Sequence, residues 1–205
     1  MAKVALNKSA LNKEKRSLKT FNRYLPALEL KRQQLMMERK KAEVALVESR
    51  EHLKEVEELV KRQLPMLAHS DVPVDNLVRV TNVELTEENI VGTAVPLVKD
   101  ITIALTPYSD LAKPHWVDFL VELLKQMVRL RIELQVRELR YKELDKATRT
   151  TSQRVNLFSK VLIPQTKKNI QKIQIYMSDQ DRASVMNAKL SKGKVLAQEA
   201  KGGSA

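Results

Sequence analysis

Two apolar heptad ladders, one toward each end of the chain, restrict the fold more than any other pattern in the sequence. In the first, Leu11, Leu18, Leu25, Leu46, Leu53 and Val60 occupy position a, and Phe21, Leu28, Leu35, Ala42 and Val56 occupy d. In the second, Leu120, Met127, Leu134, Tyr141, Val155 and Leu162 take a, while Leu123, Leu130, Leu144 and Phe158 take d. Seams of matching period on one chain can bury each other if the chain doubles back, which gives an intramolecular antiparallel coiled coil. The expected fold class is all-α dominated: a long antiparallel two-helix coiled coil with a small, partly β knob at the bend.

Composition agrees with long helices. Of 205 residues, 43% are apolar, 30% charged and 4% aromatic, with four glycines, a balance unlike that of a compact enzyme core. Cysteine is absent, which excludes disulfides and thiolate metal sites. No run of 18 apolar residues occurs and the first residues lack an apolar signal core, so the expectation is an intracellular protein without direct membrane insertion.

The pattern divides the chain into an N-terminal arm (1–64), a bend segment (65–113), a C-terminal arm (114–186) and a frayed basic tail (187–205). At 1.5 Å per residue the first arm would reach roughly 80 Å. Pro65 stops it and Pro114 starts the second arm. Pro26 and Pro164 are expected kinks, because proline removes a backbone donor and crowds the carbonyl four residues back. Around Pro164 the apolar frame also slips by one residue, from Leu162 to Ile163, Ile170, Ile173 and Met177. In the bend segment, residues 78–85 and 90–95 read as a β-hairpin joined by a four-residue loop, Thr86 to Asn89.

Charge is uneven. The net charge is +12, yet residues 65–118 are predominantly acidic, whereas both chain ends are basic. An antiparallel arrangement brings Lys8, Lys13, Lys15, Arg16 and Lys19 beside Lys167, Lys168 and Lys172 as a basic tip. The seams are also interrupted by polar residues: Arg32, Arg39 and Ser49 in the first, Arg137, Thr148 and Thr151 in the second. If Leu25 lies near Val155, the Arg32 layer faces Thr148 and the Arg39 layer faces Tyr141. Such a belt either fixes register or marks a place where another subunit docks.

No catalytic constellation emerges. Neither G-x-x-x-x-G-K-[ST] nor G-x-G-x-x-G occurs, and His52, His69 and His115 lack metal-ligand spacing. His69, Ser70 and Asp71 are triad residue types, but as chain neighbours they cannot converge on one reacting centre. Neither a cofactor nor an enzymatic activity is expected of this chain.

Residues 6–18 (LNKSALNKEKRSL), 25–35 (LPALELKRQQL), 154–166 (RVNLFSKVLIPQT) and 188–194 (AKLSKGK) resemble the D subunit of the V-type (vacuolar/archaeal-type) ATPases, in a bacterial version. The resemblance covers both arms, most specifically in residues 154–164. It implies a central-stalk rotor axle whose chain ends enter the hexamer of A and B catalytic subunits. It also implies a bend end toward the funnel-shaped subunit on the membrane rotor ring, and a coil clasped by the small F subunit. Peripheral attachment to the membrane in the cytoplasm would follow, with nucleotide sites on other subunits and no nucleic-acid partner. Two alternatives share some of these features: a prefoldin-like coiled-coil chaperone, and a basic nucleic-acid-binding coiled coil with steep salt dependence.

Overall fold

The computed structural model describes residues 5–68, 77–106, 114 and 116–202. Its elements are α1 (Lys8–Gln63), β1 (Val78–Ile90), β2 (Thr93–Leu105), α2 (Trp116–Asn156) and α3 (Ile163–Gly202). A short 3-10 turn follows α1 at Pro65–Ala68, and a π-helical segment, Leu157–Leu162, joins α2 to α3. The fold class is the expected one, two long antiparallel helical arms with a small β element between them in sequence. Two compact units divide the chain: residues 1–29 with 153–205, and residues 30–152.

In the unit of residues 30–152, antiparallel pairing of the arms follows from two ion pairs. Arg39 reaches Asp145 at 3.0 Å and Arg50 reaches Glu138 at 2.7 Å, so ascending numbers on α1 meet descending numbers on α2. At the bend, Leu64, Leu77, Val117, Leu120, Val121 and Leu123 form a buried cluster. Leu64 N–H donates to the Val60 carbonyl, and Val117 N–H to that of Pro114. Basic Lys61 and Arg62 sit in the last turn of α1 and Asp118 in the first turn of α2, each favourable to the helix dipole it meets.

Strands β1 and β2 form a two-stranded antiparallel hairpin with irregularities between Val80 and Asn82 and between Glu84 and Leu85. Its base is tied at the bend, where Thr106 N–H donates to the Leu77 carbonyl at 3.1 Å. Its far end packs elsewhere: Ile90 and Val95 are buried with Leu35 of α1 and Leu144 of α2, and Val91 lies against them. Thirteen strand residues span about 43 Å, as do the residues of α1 from Leu35 to Leu64. The β element is therefore rooted at the bend and extends along the paired helices.

The turn falls at Val91 and Gly92, not at Thr86 to Asn89. Those four residues pair in order with Leu97, Pro96, Val95 and Ala94 inside the ladder, and Ile90 pairs with Thr93. Val91 (φ 52°) and Gly92 (φ 74°) both have positive φ, the requirement of a two-residue type I′ turn. Asn89 Oδ1 accepts the Gly92 N–H at 2.8 Å. A Cβ on Gly92 would also lie 3.3 Å from Lys31 Nζ. We expect Gly92→Ala to destabilise the protein by about 1 kcal/mol, read as a lowered urea midpoint; an unchanged midpoint would contradict this account of the turn.

In the unit of residues 1–29 and 153–205, the arms are again antiparallel. The rings of Phe21 and Phe158 meet edge to face at 5.4 Å, and Asn169 Nδ2 lies 3.5 Å from Glu14 Oε1. Asn7 starts α1 by accepting the Ala10 N–H on its side chain at 2.7 Å. At Pro26, where a kink or a break is expected, the chain does not break: α1 continues through it as one helix. Leu25 and Leu28 flank the proline half-buried in the seam, and packing of that apolar face holds the helix through it.

Pro164 is accommodated differently. Immediately before it the backbone widens into the π segment, and Ile163 N–H donates five residues back to the Phe158 carbonyl. A π turn absorbs one extra residue. Burial consequently moves from Thr148, Thr151 and Val155 to Ile163, Thr166 and Ile173, the one-residue slip visible in the sequence. Beyond the seam, α3 stays helical to Gly202, through the stretch expected to fray. All residues from Ser178 to Leu196 are nevertheless exposed.

Candidate functional site

Of the seam positions, Leu11, Leu35, Leu46, Val56, Leu120, Leu123, Leu144 and Val155 are buried. Leu18, Phe21, Leu25, Leu28, Leu53, Val60, Met127, Leu130, Leu134, Phe158 and Leu162 are half-buried. The difference is geometric, since two helices alone leave the edge of each seam residue open to solvent.

The polar belt resolves into distinct cross-helix contacts. Arg137 donates through Nη1 to Ser49 Oγ and, at 3.2 Å, to the Ala45 carbonyl. Ser49 Oγ itself donates to that carbonyl at 2.6 Å, which leaves its lone pairs facing the guanidinium. Asp145 is shared: one carboxylate oxygen accepts from Arg39 Nη1, the other pairs with Arg149 Nε at 2.7 Å. Arg39 leans toward the N-terminus of its own helix and reaches Asp145, one turn along from the Tyr141 layer, while Phe21 with Phe158 and Leu35 with Leu144 meet in the layers that pairing Leu25 with Val155 implies. Thr148 turns its hydroxyl onto the Leu144 carbonyl at 2.7 Å, and Thr151 is buried. Tyr141 is half-buried. The Nε atoms of Arg32 and Arg39 are buried and have no hydrogen-bond partner among the described residues.

The cross-helix contacts of Asp145, Glu138 and Arg50 were missed by sequence reasoning, although a signal existed. All three occupy e positions of their ladders, where opposite charges favour one register of a helix pair. Glu88 of the hairpin, 2.8 Å from Arg140, carried no such signal, because nothing periodic links a strand to a helix face. Between β2 and the two helices lies an open groove of about 640 Å³ bordered by Ala42, Ala45, Val98, Ile101 and Val136.

The tip cations Lys8, Lys13, Lys15, Arg16, Lys19, Lys167, Lys168 and Lys172 are all exposed. The Glu14 to Asn169 contact brings the two basic windows to one end of their unit. His52 is exposed, His69, Ser70, Asp71 and His115 lie outside the described residues, and among the described residues no group of three His, Asp or Glu side chains could hold a metal ion. No described helix is long and apolar enough to cross a membrane.

Comparison with known proteins matches residues 10–193 to the family of the ATP synthase D subunit. Among curated relatives, the V-type ATP synthase D subunit of Borreliella burgdorferi is 36% identical over 196 residues, covering 96% of each chain. The protein of the same name from Chlamydia abortus is 35% identical, covering 95% of this chain and 94% of its own. That of Chlamydia pneumoniae is 31% identical over 204 residues, covering 97% of this chain and 96% of its own. A match of this extent spans both helical arms and the hairpin between them, and the chain belongs to the ATP synthase D-subunit family.

Proposed function

We propose that this chain is the central-stalk rotor axle of a V-type ATP synthase, transmitting rotation between the catalytic hexamer and the membrane rotor ring. The observation that carries the reading is the cross-helix bonding of both arms, at Phe21 with Phe158, Ser49 with Arg137, Arg39 with Asp145 and Arg50 with Glu138. Torque applied to one helix reaches the other only if the pair cannot slide, and directional contacts across a packed seam oppose sliding. The chain performs no chemistry of its own in this reading. ATP is handled by the A and B subunits, whose cavity receives the basic tip.

Partner assignments complete the proposal. The bend end meets the funnel-shaped subunit on the membrane ring, and the F subunit docks at the polar belt. The chain is peripheral to the membrane on its cytoplasmic side. Absence of cysteine makes the test direct, since a single Glu87→Cys substitution on an exposed strand residue offers one labelling site. With the A and B hexamer fixed to a surface and a bead attached there, ATP should drive stepwise rotation in one direction. ATP hydrolysis with a stationary bead would sink the axle reading.

A further inference from the structure

The hairpin is fastened to the helices at two places, and differently at each. At its base, Leu77 belongs to the buried cluster of the bend and Val78 packs against that cluster. Farther along, Ile101 is buried as well. Beyond it the attachment thins. Glu84 to Asn89 of β1 are exposed without interruption, and the open groove of about 640 Å³ runs beside Pro96 to Ile101 of β2. Burial resumes at the end of the hairpin, where Ile90 and Val95 fall to 9% and 0% exposure in the cluster with Leu35 and Leu144. The Glu88 to Arg140 ion pair supports them, with both side chains in reach of water at 49% and 23% exposure.

Between the two attachments the ladder is interrupted. Glu84 pairs with Asp100 and Leu85 with Val98, so Lys99 has no residue opposite it and forms a bulge. A bulge disrupts the ladder locally and bends the strand there. Past it, a two-stranded ribbon has little stability of its own in water. Its turn also holds Val91 at positive φ, a strained position for a β-branched residue. Residues 85–98 are therefore ordered chiefly by what their tip touches. We infer that they form a strap with a releasable tip: Ile90 and Val95 lift together from Leu35 and Leu144, bending at the Lys99 bulge, while the hairpin base and the helical pair stay folded. Lifting uncovers one side of the Leu35 and Leu144 layer, which is sealed when the strap is closed. Such an opening costs less than global unfolding, because the seam keeps every contact that the hairpin does not make. It depends neither on the axle reading nor on the polar belt.

Because the chain lacks cysteine, a single buried position can report opening through its reaction with N-ethylmaleimide. Three full-length chains, each within the assembled complex, carry Val95→Cys at the tip, Ile101→Cys below the bulge or Leu46→Cys in the seam. Labelling is followed at the mapped peptide. We expect Val95→Cys to react about tenfold faster, or more, than either of the others. Adding Glu88→Gln should quicken it about threefold more, through loss of a partly exposed ion pair. A Val95→Cys rate no higher than that of Ile101→Cys overturns the inference, since the hairpin would then move whole. A rate no higher than that of Leu46→Cys also overturns it, since opening would then be global. Amide exchange of the unsubstituted chain guards against a fault introduced by the cysteine: peptides within residues 86–95 should exchange about tenfold faster, or more, than those around Leu77 and Leu144. A short bismaleimide joining Glu88→Cys to Arg140→Cys should remove that difference, and exchange unaltered by the tether counts against a releasable tip.

Discussion

Leu144→Ala lowers the stability of this protein by about 3 kcal/mol and its thermal midpoint by about 9 °C. Leu144 is fully buried and joins three elements at once, packing with the seam residue Leu35 of α1 and the hairpin residues Ile90 and Val95. Truncation there removes apolar contact from every wall of the site. Neither helix can collapse into the space without breaking the contacts beside it, so the cavity persists. Leu139, 49% exposed on the same helix, is the control, and Leu139→Ala should cost less than about 0.5 kcal/mol. Hydrogen exchange adds a spatial signature: amides near the hairpin turn should lose protection before those at its base near Leu77. Equal costs at the two leucines, or unaltered exchange at the turn, would show that the hairpin end does not depend on this contact.

Asp145→Ala is expected to cost about 2 kcal/mol, because it strips the shared carboxylate from two arginines. The Asp145 side chain is 17% exposed and that of Arg39 35%, so the pair is partly screened and the cost falls below that of a fully buried one. What remains is asymmetric. Arg39 already has a buried Nε with no partner, and without Asp145 its Nη1 loses the bond that offsets its desolvation. Adding Arg39→Leu to Asp145→Ala should therefore recover at least half of the loss, since removing both partners costs less than orphaning one. Equilibrium urea unfolding of the two single variants and the double variant measures this. A double variant less stable than Asp145→Ala would mean that Arg39 contributes through its stem and not through its charge.

The heptad ladders made the arms legible because burial of a helix face imposes a period that any sequence displays. The one-residue slip before Ile163 was legible for the same reason. Its form was not: a period counts residues, whereas a π segment is defined by which carbonyl accepts each N–H. The hairpin was legible from its β-branched runs, but its turn was misplaced. Thr86 to Asn89 have the polar composition of a loop and remain in the strand with their side chains exposed. The true turn uses Val91, a β-branched residue at positive φ, where contact with the Leu35 and Leu144 cluster offsets the backbone strain. The seam register was legible as well, since Phe21 meets Phe158 and Leu35 packs with Leu144 in the layers that pairing Leu25 with Val155 implies. The polar contacts were not, because Arg39 and Arg137 leave their own layers to reach Asp145 and Ser49, and a period says nothing of where a long side chain ends.

The hairpin's path along the helices has a consequence for anything that encircles them. A bare antiparallel pair of similar helices has near-twofold symmetry and presents much the same profile from opposite directions. Glu88 bonded to Arg140, with Ile90 and Val95 seated against Leu35 and Leu144, thickens one side only. Viewed down the helices, residues 30–152 thus have a single bearing, like the pointer on a dial. A sleeve closed around these residues would meet that pointer at one place on its inner wall at a time.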